Sequence, residues 1–297
     1  MTRFPSLSLH AALVLALACS CPAAESPAPV APVAPRQTSG DRVVEPAWEE
    51  RLTITVGPKD ADIIGADHRA LQAAVDHVAR LGGGTVTILP GTYRLRNAVH
   101  LQSKVAMRGV TARNYHGDGI SWQVCHDVVV ENCLSENHSG LGLHPSSGSQ
   151  RPVMRNNTLR GNGIGIFFCW GVKHGVAENN RLLGNRVGIS IGHRDTDNLI
   201  AGNTIQGSAE TGLLFRPEPG PAFAGHRNRI LGNTFIDNSP AGAPVIDIQG
   251  PTQSITLSDN EFSDSRGGTP RVAVKQGPET RDIVVERSRT SGAVTPP

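Results

Sequence analysis

Large aromatic side chains are scarce in this sequence: 297 residues include seven Phe, three Trp and two Tyr. So few rings argue against a broad aromatic core and suit a thin aliphatic one. Charge of one sign is also lacking. Lys and Arg number 28 against 26 Asp and Glu, a net charge of +2, and no basic block or stripe with interleaved aromatics occurs. The electrostatic footprint of a nucleic-acid binder is therefore absent, and no nucleic-acid partner is expected. Cysteine is sparse as well. Of five, Cys19 and Cys21 lie near the start, leaving Cys125, Cys133 and Cys169 without CxxC or Cys/His ligand spacing. Neither a disulfide framework nor a zinc site follows; three buried or half-buried thiols are expected, with a Cys125–Cys133 bridge as the alternative.

No apolar run is long enough to span a membrane as a mature helix. Residues 9–18 are apolar and follow Arg3, the form of a secretory signal. Residues 1–24 are thus expected to be a removable leader, and the protein to be exported to the periplasm, the outer membrane or the exterior of a bacterium. Ala16-Leu17-Ala18-Cys19 loosely resembles a lipobox, so a lipid anchor at Cys19 competes with ordinary cleavage near Ala18 or Ala24. Residues 25–50 interleave Pro27, Pro29, Pro32 and Pro35 with Ala and Val, a disordered, extended tether.

What is abundant is glycine, 33 residues, and it is periodic. Gly119-Ile120, Gly142-Leu143, Gly165-Ile166 and Gly188-Ile189 recur at intervals of 23, and Gly212-Leu213 follows after 24. Two further registers run in parallel: Asn132, Asn157, Asn180, Asn203, Asn233 and Asn260, and Asn137, Asn162, Asn185, Ser208, Asn238 and Ser265. A repeat of this length with an Asn at each bend predicts an all-β chain, a single-stranded right-handed parallel β-helix solenoid whose stacked amides bond along the axis at about 4.8 Å. The Asn columns are read as scaffold. Two longer intervals must hold insertions, the clearest at residues 217–225.

Ahead of the repeats, residues 53–56 alternate as a strand. A helix follows Asp67, with Leu71, Val75, Val78 and Leu81 on one face, and ends at Gly82-Gly83-Gly84. Residues 85–89 and 92–95 read as strands around a Pro90-Gly91 turn. This helix and the stretch GGGTVTILPGTYRL resemble the entry to the pectin-lyase-like β-helix superfamily, which implies an N-terminal capping helix over the open end of the solenoid. The expected layout is cap and first strands over 51–116, coils over 117–291 and a disordered tail over 292–297.

With Ile120, Leu143, Ile166, Ile189 and Leu213 inward, alternation turns Ser121, His144, Phe167, Ser190 and Leu214 outward. The turns beyond are dense in reactive types. His144, Lys173 with His174, His193 to Asp195, and Arg216 with Glu218 are expected to line a groove of roughly 15 Å, several sugar units long. His193, Arg194, Asp195, His144 and Lys173 are the candidate catalytic residues; Trp170, His174, Arg216, Glu218 and His226 are the candidate substrate-binding residues.

A uronate lyase needs a cation for the substrate carboxylate, a base for the C5 proton and an acid for the leaving oxygen, roles that Arg194 or Arg216 and His193, His144 or Lys173 fit. C5-epimerisation shares the proton abstraction. A glycoside hydrolase needs two flanking carboxyl groups, and Asp195, Asp197 and Glu218 are the acids at hand, with Asp118 further off. A non-catalytic glycan-binding or envelope adhesion solenoid is the alternative to an enzyme.

Gly188-Ile-Ser-Ile-Gly192 and Gly117-Asp-Gly-Ile120 resemble short stretches of polygalacturonases. Val187 stands where that family has histidine, and Leu143-His144 replaces its paired aspartates, so its active site is not implied and Asp118 reads as a turn residue. Residues 117–290 more closely resemble bacterial β-helix repeat proteins carrying GLGLHPxSGSQRP, FFCWGVKHG and GISIGHRDTDNL, which implies a fold and no reaction. β-Helix lyases often use calcium, so the resemblance admits it, but no compact Asp cluster with a bidentate Glu is visible. No cofactor and no metal site are therefore assigned.

Overall fold

The computed structural model describes residues 46–96 and 99–297. The expected leader, Cys19 and most of the tether lie outside them. The chain winds into a parallel β-solenoid with three sheets of eleven, eight and eight strands. A single coil runs through Val129–Glu131 on the first sheet, Leu134–Glu136 on the second and Leu141–Ser146 on the third. It then turns into Val153–Arg155, which pairs in parallel with Val129–Glu131.

The strands of the first two sheets are short because each is broken by a residue in the left-handed region. Asn132, Asn156 and Asn179 hold φ of 55°, 56° and 54°. Asn reaches this region more readily than other side-chain-bearing residues. The next residue in each coil forms the ladder. Nδ2 of Asn157 donates to Asn180 at 2.9 Å, Asn180 to Asn203 at 2.9 Å, Asn203 to Asn233 at 2.9 Å and Asn233 to Asn260 at 3.1 Å. A second column joins Asn162 to Asn185 and Ser208 to Asn238.

Asn132 and Asn137 correct the expected columns. They sit one residue early, in the left-handed positions, and Cys133 and His138 take the stacked places, receiving Asn157 Oδ1 and Asn162 Oδ1 on their backbone N–H groups. A third column, Asn198 on Asn228 at 3.0 Å, was not foreseen. The three cysteines are free, with Cys125 and Cys133 buried and Cys169 half-buried.

Inside, like stacks on like. The first sheet contributes Val130, Met154, Ala177 and Ile200, the second Leu159, Leu182, Ile205 and Phe235, and the third Ile166, Ile189, Leu213 and Ile246, all buried in one cluster. Phe235 and Phe262 stack at 5.1 Å. The helix His68–Arg80 starts at Asp67, whose carboxylate caps Arg69 and Ala70 N–H groups, and buries Leu71, Ala74, Val75 and Val78 against the same cluster. Leu81 falls past the helix end and is exposed.

Three boundaries differ from expectation. Residues 92–95 form no strand: Arg94 makes only an isolated bridge to Asp67, and Tyr93 turns its hydroxyl onto Val56 and Leu89 carbonyls. The end of the predicted tether is ordered, because Trp48 in the short helix Trp48–Glu50 packs on Ala106, Val129 and Val153 outside the first sheet. The predicted tail carries strand Val294–Thr295, paired with the third sheet. No described helix is long and apolar enough to cross a membrane.

Asn203 makes four of the ladder bonds, accepting from Asn180 N and Nδ2 and donating to Ala177 O and Asn233 Oδ1. Asn203→Ala strands these buried groups and is expected to cost about 3 kcal/mol in chemical denaturation. Asn132→Gly, at a left-handed site outside the ladder, is expected to change stability by less than about 0.5 kcal/mol. Equal losses would contradict the ladder.

Candidate functional site

The third sheet turns one column outward: Ser121 beside His144, Phe167 beside Ser190, then Leu214 and Asp247. Beyond it the chain bends sharply toward the first sheet. Val124, Ser147, Trp170 and His193 all take positive φ there, 54°, 43°, 69° and 47°. These are costly conformations for non-glycine residues, and they aim the four side chains outward at equivalent places in successive coils.

Asp195 organises the bend. Its side chain is fully buried; Oδ1 accepts from Gly171 and Val172 N–H at 3.0 and 2.9 Å, and Oδ2 from Gly192 N–H at 3.1 Å. Arg216 reaches back to the same carboxylate at 3.2 Å. Burial pushes Asp195 up to about 7, against the pull of Arg216 and the three backbone donors.

Arg216 has each of its three nitrogens engaged. Nη1 donates to Ser190 Oγ at 2.9 Å, Nη2 to Phe168 O at 2.9 Å, Nε faces Glu218 at 3.4 Å, and the guanidinium lies 4.5 Å over Phe167. Arg216, expected to meet a substrate, is held by partners within the chain, and Asp195, among the expected catalytic residues, is buried behind it.

Glu218 carries the network outward. Its Oε1 accepts from His193 N–H at 2.8 Å, and Oε2 lies 3.0 Å from His193 Nδ1. A carboxylate opposite Nδ1 places the proton on that nitrogen and leaves Nε2 as a base. The imidazole is stacked on Trp170 at 4.9 Å and 9°, with Phe223 edge-on at 6.2 Å. Arg194 rests 4.4 Å over Phe223 and touches no carboxylate among the described contacts. Phe223 comes from the insertion, whose short helix Pro221–Phe223 folds back so that Phe223 O receives Arg194 N–H.

A second histidine–carboxylate pair lies along the same face. His144 Nδ1 is 2.7 Å from Asp118 Oδ2, and its ring meets Phe167 at 5.3 Å. Its Nε2 is buried without a protein partner. Such orphaned groups cost about 1–3 kcal/mol and mark places where a ligand or a ring rotation supplies the missing bond. Asp118, read from sequence as a turn residue, is thus part of the site.

The fold therefore gathers His193, Asp195, Arg216 and Glu218 into one network, with Trp170 and Arg194 against it and His144 joined through Phe167. Lys173 and His174 fall outside it. They lie past the bend, where Lys173 pairs with Gln150 and Thr196 and His174 follows in the row of Arg151 and Asp197. His226 is folded into its own loop, between Pro221 O at 2.6 Å and Gln253 N–H at 3.1 Å. Cys169 sits beside the network, half-buried, and burial raises its thiol to about 11. Asp247 went unnoticed in the sequence: Oδ2 accepts from Gln249 at 2.6 Å and Oδ1 is buried without a partner. Among the described residues no three His, Cys, Asp or Glu side chains are placed to hold a metal ion.

The three-sheeted parallel solenoid with its bend-lined face defines the class. The family model described as right handed beta helix region matches residues 97–273, and the chain belongs to that family. No curated protein matches its sequence. Among solved structures it is similar to PfbA, a surface adhesin of Streptococcus pneumoniae, at 14% identity over 80% of this chain and 78% of that one, with a TM-score of 0.50. It is also similar to the DFA-IIIase of Arthrobacter chlorophenolicus at 15% identity and TM-score 0.49, over 68% of this chain and 56% of that one, so it spans little more than half of that enzyme. An alginate lyase from a Paenibacillus species matches at 12% identity and TM-score 0.42, over 80% of this chain and 98% of that one. These likenesses concern the fold.

The Asp195–Arg216 pair gives a pH-dependent prediction. A carboxyl raised in the folded state binds its proton before the unfolded chain does, so its ionised form weighs against folding as pH rises through about 7. Arg216→Gln removes the compensating cation. Denaturation is expected to show a loss of about 3–5 kcal/mol at pH 8 and a clearly smaller one at pH 5, where Asp195 is protonated.

Proposed function

We propose that the outer face of the third sheet and its bend form a glycan site in which an exported protein cleaves a polysaccharide, with His193 as the proton-transfer group. The observation that carries this reading is the pairing of His193 with Glu218: the ring is held at Nδ1, stacked on an exposed Trp and partly open to solvent at the rest of its edge. Export rests on the apolar leader at residues 9–18, with anchorage through Cys19 as its stronger form.

Between the two cleavage chemistries, the placement of acids favours β-elimination of a uronate chain. Asp195 is buried, Glu218 is buried between His193 and Arg216, and Asp118 is paired with His144. Asp197 is paired with Arg227, so none of the four carboxyls weighed for hydrolysis, Asp118, Asp195, Asp197 and Glu218, stands open. In elimination His193 Nε2 takes the C5 proton, the C–H electrons form the C4–C5 double bond, the C4–O bond breaks, and the leaving oxygen is protonated by a second acid. Glu218 fixes the ring and meets the charge that develops on it. Arg194, exposed on Phe223, is the cation placed to meet the uronate carboxylate. The fold itself is shared by glycan-degrading enzymes and an adhesin, so the choice between catalysis and simple binding rests on the site.

A panel of uronate and neutral polysaccharides, read by the absorbance of unsaturated uronates and by reducing ends, tests this. His193→Ala is expected to lower turnover about 10²- to 10⁴-fold while leaving binding. Reducing ends without unsaturated product would move the reading to hydrolysis. No product from any polymer, with glycan binding unchanged in His193→Ala, would leave a binding solenoid.

A further inference from the structure

We infer that Trp170 forms a separate chain-gripping subsite that takes the apolar face of one hexopyranose ring, on the N-terminal side of His193. The inference rests on the reading of this face as a glycan site and adds a specific position and sugar geometry to it.

Trp170 is unusual among the three tryptophans. Trp48 and Trp122 are 9% and 3% exposed, whereas Trp170 is 60% exposed. One face of its indole is covered by the His193 ring, 9° from parallel, so the exposure belongs to the opposite face and the edges. The coil on that side carries Ser147 in the equivalent position, followed by Gly148, next to which a Cβ would meet nothing within 4 Å. Beyond Ser147 the next equivalent residue is Val124, also exposed at 70%. The small residues therefore open a notch between Val124 and Trp170. It is two coils wide, roughly 9.6 Å at the strand spacing, enough for a sugar ring lying against the indole. Ser146 and Ser147, whose hydroxyls are 3.3 Å apart, belong to the coil between Val124 and Trp170 and offer polar partners for ring hydroxyls.

The exposed ring is held at the backbone cost that the whole bend carries. At φ of 69°, Trp170 occupies a conformation natural to glycine, and the residue after it, Gly171, has φ of 85°. A bulky aromatic in this place leaves more than half of its surface exposed and keeps the strain. A flat apolar face with polar rims nearby is what the C–H face of a pyranose recognises, through contact that needs no charge on the sugar.

The test uses the full chain and three hexamers: oligogalacturonate, oligomannuronate and a neutral gluco-oligosaccharide. Because the other two tryptophans are buried, iodide quenching of fluorescence reports Trp170. At least one hexamer is expected to shield Trp170 saturably. Calorimetry is expected to show its Kd raised about tenfold or more in Trp170→Gly and within about threefold of the parent in Trp170→Phe. Glycine suits the local φ, so Trp170→Gly is expected to keep the melting temperature and the loss to be one of binding. Shielding without any cleavage product would support the subsite while removing the catalytic reading. Cleavage with unchanged KM in Trp170→Gly would overturn the subsite and keep catalysis. No shielding by any hexamer, or binding with the same Kd in Trp170→Gly, also overturns it.

Discussion

Every feature of this molecule depends on the hydrogen bond between residues one coil apart. Backbone donors and acceptors in a parallel solenoid find partners only above and below, and an unpaired buried group is costly. The coil length is therefore held near constant wherever the chain is in contact, and each side chain is placed over its equivalent in the next turn. Asn wins the stacked position because its amide both accepts from the N–H of the previous coil and donates to a carbonyl there, as Asn180 and Asn203 do. Where Ser208 or Cys133 stands instead, the column continues through the backbone.

The same constraint decides where variation is allowed. The bend after the third sheet holds its path through Asp195 and Arg216 rather than through an unbroken repeat. Residues 217–225 can therefore be added without disturbing Leu213 on Ile246. The insertion contributes Phe223 to the outer face, and Asn228 beyond it restores the register by accepting from Asn198 N–H and donating to Asp195 O. A rigid scaffold thus carries a variable edge, the usual division between stability and recognition in repeat proteins. The strained residues at Trp170 and His193 are held in place by this edge.

The fold was legible because its signal is periodic: the Gly-apolar pairs at intervals of 23 mark strands that face inward, and Ile120 to Leu213 are buried as read. Asn132 and Asn137 misled because a single-residue offset, Asn in the left-handed position rather than in the ladder, looks identical in composition. Of the candidate site, His193, Trp170, Arg216 and Glu218 were legible as neighbours, since equal places in adjacent coils must touch. Their roles were not. Nothing in the spacing distinguishes a buried Asp195 or an internally bonded Arg216 from an open one, and charge counting overstated the free cations. Asp118 escaped because it approaches His144 from the preceding bend, 26 residues away, outside the repeat interval. Lys173 and His174 looked close in sequence to Trp170, yet the sharp turn at Gly171 carries them into another row.

The central claim is that one face, between His144 and His193 along the third sheet, receives a glycan. A crystal structure of the His193→Ala protein with a bound uronate hexamer addresses it most directly. The account predicts sugar along the bend beside Trp170 and Arg194, with one ring reaching the position vacated by His193. Sugar seated on the first or second sheet would contradict it.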